Sequence, residues 1–162
     1  MFPEEIDTLA RRVVARATER GLMIATAESC TGGLVAGALT AVAGSSAAVD
    51  QGFVTYSNAA KMRMLGVAQA TLDAHGAVSR QTALEMANGA VAQSDAQASV
   101  SITGVAGPGG GSPDKPVGLV HFAAAGPDGT VHVQRRFGDI GREAVRLASV
   151  RQALQMLLER LG

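Results

Sequence analysis

Tryptophan is absent from this 162-residue chain, aromatic residues make up only 3% of it, and a single tyrosine occurs. Stacking platforms for nucleic-acid bases are therefore missing. Net charge is missing too: fourteen basic residues cancel fourteen acidic ones, and no dense Lys/Arg run offers a footprint for a phosphate backbone. Nucleic acid is excluded as a partner on both grounds. One cysteine, Cys30, cannot form an internal disulfide, and no metal-ligand spacing surrounds it. No metal is expected, and a free thiol points to a reducing compartment, the cytoplasm by default. The amino terminus carries Glu4, Glu5, Asp7, Arg11 and Arg12 where a secretion signal would need an apolar stretch. Gly32 to Val49 lacks charge, but Gly44-Ser45-Ser46 interrupts it and its residues are mostly small, so no membrane span is expected.

What is present suits one domain over residues 1–162, long enough to bury about two-thirds of its unfolded surface. Pro3 to Arg20 carries Ile6, Leu9, Val13, Val14 and Ala17 on one helical face, and Gly21 closes it as a helix C-cap does. Leu22 to Thr26 reads as a short buried strand, followed by a helix to about Ala43 with Leu34, Val35, Ala38, Leu39 and Val42 in register. Gly52 to Tyr56 reads as a second strand, and Ser57 or Asn58 caps a short helix bearing Lys61, Met64 and Leu65. A weak helix around Thr71 to His75 and a longer one opened by Ser79 precede the strand Ala98 to Thr103. Val117 to Ala125 and Thr130 to Phe137 read as strands joined by the hairpin turn Gly126-Pro127-Asp128-Gly129, and a last helix runs from about Gly141 to Leu161. Early alternation of helix and strand with a late hairpin predicts a three-layer α/β/α sandwich. Its sheet is mixed, mostly parallel, and of about five strands.

The stretch Ala25-Thr26-Ala27-Glu28-Ser29-Cys30-Thr31-Gly32-Gly33 joins the first strand to the second helix. Such a turn directs unpaired helix N–H groups at whatever binds there, which suits an oxyanion or a phosphate; Ser29 and Thr31 acting as plain helix caps is the simpler reading. Ligands in α/β sheets gather at the carboxyl ends of strands, and Ser29, Tyr56 and Thr103 each fall at or just past one.

A serine nucleophile needs a base. His75 precedes a helix-ending glycine, and His121 and His132 lie inside strands, where a lone histidine is more often a passenger than a catalyst. Lys61 is one of two lysines against twelve arginines and sits just beyond a strand end. It is a base if burial or a neighbouring cation lowers its pKa, and otherwise a solvated helix residue. Cys30 is a rival nucleophile if a helix end activates it, and otherwise a small buried hydrophobe. Gly104 to Pro116, with five glycines and three prolines, is a shaped loop able to approach an anion, but it is neither a P-loop nor a dinucleotide fingerprint. Arg135, Arg136, Arg142, Arg146 and Arg151 form a loose basic group, of which one or two suit a phosphate.

These segments together resemble the CinA C-terminal-domain family of nicotinamide-nucleotide amidohydrolases. The carriers are Thr26 to Leu34, Val54-Thr55-Tyr56-Ser57-Asn58 with Lys61, Leu65-Gly66-Val67, Gly76 to Ser79, Thr103 to Gly110, and Lys115 to Gly118. The resemblance implies the same three-layer fold, anticodon-binding-domain-like. It implies hydrolysis of the carboxamide of nicotinamide mononucleotide to nicotinic acid mononucleotide and ammonia, with no cofactor or metal. The family's serine nucleophile and lysine base map onto Ser29 and Lys61, and Tyr56 and Thr103 match polar positions that orient them and hold substrate. The backbone N–H groups of Cys30, Thr31 and Gly32 are then expected to hold the oxyanion, with Gly33 also in the substrate-binding turn, and Gly104, Gly107, Gly109 and Arg146 to receive the ribose phosphate. Two departures stand out: Ala59 where an acidic residue is expected, and Ala43 where proline is common. The larger amino-terminal domain of fused CinA proteins is not expected here, and an alanine-rich surface suggests a homodimer. Two alternatives share these residues: a Ser–Lys hydrolase of another small amide, and a non-catalytic nucleotide-binding module linked to competence or DNA damage.

Overall fold

The computed structural model describes residues 1–162. Its elements in chain order are α1 (Glu4–Arg20), β1 (Ile24–Glu28), α2 (Leu34–Thr40), a single 3₁₀ turn (Ser45–Ala47), β2 (Val49–Val54), α3 (Asn58–Leu65) and α4 (Gln69–His75). These are followed by α5 (Arg80–Ala92), β3 (Ala98–Gly104), β4 (Leu119–Gly126), β5 (Gly129–Arg136) and α6 (Arg142–Arg160). The five strands form one sheet in the order β2-β1-β3-β4-β5. β2, β1 and β3 pair in parallel, while β4 runs antiparallel to both β3 and β5. Four strands thus point one way, and the three-layer α/β/α fold with a mixed sheet is as the residue pattern predicts.

Several predicted boundaries move. The first strand lies at Ile24–Glu28 rather than Leu22–Thr26. An acidic residue ends it because the Glu28 side chain finds backbone partners inside the fold. The second strand is Val49–Val54 rather than Gly52–Tyr56. It lies at a sheet edge, where exposed Asp50 and Gln51 replace the apolar alternation that marks an inner strand. α2 ends at Thr40, short of Ala43. The caps follow local chemistry: Ser57 accepts from the Ala60 N–H and Ser79 from the Thr82 N–H, while Gly21 turns left-handed after α1.

One face of the sheet packs on α1, α2 and α6 through residues such as Ile6, Val13, Val35, Leu39, Ile102, Phe122, Leu154 and Leu157. The other packs on α3, α4 and α5 with smaller side chains, among them Ala25, Ala27, Ala83 and Ala87. Close approach there is why Ser99 and Ser101, buried in β3, can donate to the carbonyls of Ala87 and Ala83 on α5. It also requires glycine at position 89, since a Cβ would overlap the Leu65 carbonyl. Stacking α3 against α5 in this way fixes where Lys61 emerges beneath the carboxyl ends of β1 and β3.

Candidate active site

Parallel β1 and β3 end side by side, and the turn after β1 is pinned to both neighbours. The Ser29 N–H donates to Ile102 O (2.9 Å), and the Thr55 N–H donates to Glu28 O (2.9 Å). Within the turn, the Gly32 N–H is taken by Ser29 O (3.0 Å), whereas the N–H groups of Cys30 and Thr31 have no protein partner. Gly32 and Gly33 hold positive φ angles of 58° and 104°, which let the chain reverse into α2.

Lys61 comes up from α3, thirty-two positions further along the chain. Only 1% of it is exposed, and its Nζ lies 2.9 Å from Ser29 Oγ and 2.8 Å from Thr55 O. Burial lowers its pKa from the ordinary 10.5, because the ammonium loses water without gaining a carboxylate; Cys30 opposes the shift weakly. The reading of Lys61 as a solvated helix residue is overturned by that burial. Cys30 shows the opposite effect. With 6% exposed, burial first and the Glu28 charge further push its thiol up to about 11, and the effects of Arg146 and Lys61 do not offset this. At neutral pH it is a thiol packed in the core, and its reading as rival nucleophile loses its basis.

A cleft of about 300 Å³ opens over these groups. Ser29, Cys30, Tyr56, Lys61, Thr103, Gly104, Gly107 and Gly109 line it, so most of the singled-out residues converge on one space. Thr103, buried, donates through Oγ1 to Ala77 O at 2.8 Å and so ties the segment before α5 to the end of β3. Tyr56, 62% exposed, stands at the rim. A Cβ at Gly104 would meet Val120 and Leu119, and Gly107 takes φ 83°, so the loop backbone occupies room that side chains would fill. Larger hollows of about 690 Å³ lie between α1 and α6 and against the glycine loop at Pro108 to Ser112, and neither is lined by Ser29 or Lys61.

Thr31, Gly32, Gly33 and Arg146 are absent from the cleft lining. Arg146 donates through Nε to Cys30 O (3.1 Å) and through Nη2 to Thr31 O (3.3 Å), so its guanidinium braces the turn. The arginine that lines the cleft is Arg142, one turn earlier on α6, which reaches Gly107 O and Tyr56 Oη, each at 2.9 Å. Asn58, Ala77 and Val78 also line it, without having drawn notice as site residues in the sequence. The signal that could have found them is the family resemblance, since Asn58 lies in the carrier segment Val54 to Asn58 and Ala77 and Val78 in Gly76 to Ser79. His121 and His132 do not line the cleft; they are paired across β4 and β5 with Nδ1 and Nε2 2.9 Å apart. No three His, Cys, Asp or Glu side chains converge as a metal site would need.

The CinA C-terminal domain matches residues 6–161. A CinA-like protein of Anaeromyxobacter dehalogenans (strain 2CP-C) is 52% identical over 158 residues, covering 97% of this chain. The chain spans only 38% of the length of that relative. The nicotinamide-nucleotide amidohydrolase PncC of Enterobacter agglomerans is 48% identical and is matched over 98% of this chain and 96% of its own length. Among solved structures, the competence/damage inducible protein CihA from Agrobacterium tumefaciens superposes with a TM-score of 0.98 at 59% identity, covering 100% of this chain and 99% of that one. A CinA superfamily protein from Escherichia coli does so with 0.91 at 37% identity, over 98% and 93% of the two chains.

Proposed function

The chain belongs to the CinA C-terminal domain family, and from that premise and the buried Ser29–Lys61 contact we propose that it hydrolyses the carboxamide of nicotinamide mononucleotide to nicotinic acid mononucleotide and ammonia. The name carried by the full-length Enterobacter relative supports the substrate. The observation that carries the chemistry is the 2.9 Å approach of Lys61 Nζ to Ser29 Oγ at a site where burial favours the neutral amine.

In the proposed reaction, neutral Lys61 keeps one N–H on Thr55 O and turns its lone pair to the Ser29 hydroxyl. Ser29 Oγ attacks the carboxamide carbon, already electron-poor beside the pyridinium ring, while Nζ takes the hydroxyl proton. The carbonyl electron pair moves onto oxygen, which the unpartnered N–H of Cys30, the turn residue that lines the cleft, receives. Collapse breaks the C–N bond, and Lys61 returns the proton to the departing nitrogen, releasing ammonia. Water then attacks the acyl-serine carbon, Lys61 accepts its proton, and the acid leaves as Ser29 recovers its own. Tyr56 and Thr103 shape the approach, and the loop backbone at Gly104, Gly107 and Gly109 with Arg142 receives the ribose phosphate, a role for which Arg142 is better exposed than Arg146.

The test is mass spectrometry of nicotinamide mononucleotide incubated with the wild type and with Ser29→Ala, in chelator, alongside an ammonia assay. Conversion by the wild type alone, with Ser29→Ala still folded and binding nucleotide, is expected. Tight binding with no turnover by either protein would instead identify a nucleotide-binding module, and turnover of non-phosphorylated amides alone would identify a different Ser–Lys hydrolase.

A further inference from the structure

A helix amino terminus in the active-site turn invites a substrate anion, yet the start of α2 is already filled by the protein's own charge. Glu28, with 0% of its surface exposed, places Oε1 2.9 Å from the Val35 N–H and Oε2 3.0 Å from the Ala36 N–H. Gly33, the residue at the cap position, has no side chain to do this, and neither the Ser29 nor the Thr31 side chain caps α2, although Thr31 O accepts from the Leu34 N–H (3.0 Å). A carboxylate on two first-turn N–H groups satisfies donors that would otherwise be orphaned and complements the helix dipole. The expectation that this helix end receives an oxyanion or a phosphate is thereby corrected.

We propose that Glu28 is a positioning residue for Ser29, an internal anion that staples the two ends of the turn from 29 to 33 and reserves the first turn of α2 from substrate. Its backbone carbonyl holds Thr55 from one side, and the Thr55 carbonyl in turn holds Lys61 Nζ, so one residue sets both halves of the Ser–Lys pair. Its carboxylate anchors the far end of the same turn. Arg146 completes the brace by drawing the Cys30 and Thr31 carbonyls toward α6. Because C=O and N–H of one trans peptide point in opposite directions, holding the Cys30 carbonyl there aims the Thr31 N–H away from Arg146. Arg146 thus fixes the orientation of the Cys30–Thr31 peptide without its side chain entering the cleft; neither Glu28 nor Arg146 lines it.

The proposal rests on the amidohydrolase reading for its kinetic part and stands apart from it for its structural part, and the experiment separates the two. In Glu28→Gln, which keeps size but only one good acceptor, kcat for nicotinamide mononucleotide is expected to fall on the order of 10- to 100-fold with KM little changed, because a slightly displaced nucleophile loses rate rather than binding. Glu28→Asp, one methylene too short to reach the helix, is expected to do no better than Gln. Hydrogen exchange on the wild-type protein supplies the second readout: the Val35 and Ala36 amides are expected to be as protected as those inside α2. Unchanged kcat in Glu28→Gln, or a rise in KM with kcat intact, overturns the positioning role. Freely exchanging Val35 and Ala36 amides overturn the staple, even if the variants fail to fold. Protected amides in a wild type that converts no nucleotide leave the staple standing and fail the amidohydrolase reading alone.

Discussion

Arg142 and Arg146 sit one helical turn apart on α6 and hold different parts of the site: Arg142, in the cleft, spans from Gly107 O to Tyr56 Oη, while Arg146, outside it, grips the carbonyls of Cys30 and Thr31. Their side chains differ in chemistry only through what they touch. Arg142→Met is expected to raise KM for nicotinamide mononucleotide about 10- to 100-fold, the loss of a charge-assisted phosphate contact, with kcat less affected. Arg146→Met is expected to do the reverse, lowering kcat and Tm while leaving KM near its wild-type value. Steady-state kinetics on both variants check this; a KM defect confined to Arg146→Met would return the phosphate to that residue.

As the proposed base, Lys61 has to be neutral to act, and the rate is then expected to follow its titration. Its folded pKa is lowered below 10.5, and kcat/KM is expected to climb with pH through that lowered value, reaching its plateau well before an exposed lysine would lose its proton. The sign for stability is the same. Between the folded pKa and 10.5 the unfolded chain binds the extra proton, so this group makes folding more favourable as pH rises across that window and less so below it. Lys61→Arg, which stays charged, is expected to lose about 10²- to 10⁴-fold in kcat at every pH. A rate profile flat from pH 6 to 10 would remove Lys61 as the base.

The Cys30 thiol, pushed up to about 11, is expected to resist iodoacetamide at pH 7, with turnover undiminished during the incubation. Labelling followed by mass spectrometry should accelerate steadily toward alkaline pH. Fast alkylation at neutral pH accompanied by inactivation would restore a thiolate to the site.

His121, 8% exposed, is held to about 4 by burial, by His132 and by the nearby Lys115 and Arg136 charges, and His132 is lowered in turn by burial and Arg80. Both are neutral in the fold at pH 7. Below the ordinary value of 6.5 the unfolded chain takes up protons that the folded one refuses, so stability is lost as pH falls from 6.5 toward 4. For His121 the loss is on the order of 3 kcal/mol over that range. Urea unfolding at pH 7 and pH 4.5 is expected to show a smaller acid penalty in His121→Gln than in the wild type. Equal penalties would mean that the pair does not govern acid stability.

Much of this protein was legible in the order of its residues because the signals are local. The period of apolar positions in α1 and α6, the Ser57 and Ser79 caps and the glycines that close turns act within a few positions, so element types emerge without a fold. The Ser29 turn and the glycine loop were visible for the same reason, and so was the singularity of Lys61 among so few lysines. Edge strand β2 was misplaced because an exposed strand loses the alternation that the pattern depends on. What tertiary structure alone decided is every property that depends on distant neighbours. Burial strips water from Lys61 and Cys30 and sends one toward a neutral amine and the other toward a neutral thiol. A chain reversal of seven residues brings the Glu28 carboxylate onto α2. The pitch of α6 gives the cleft to Arg142 and the turn to Arg146. Residue type names the chemistry a side chain can do, but desolvation and distance, which select the chemistry it does, exist only once the chain has packed.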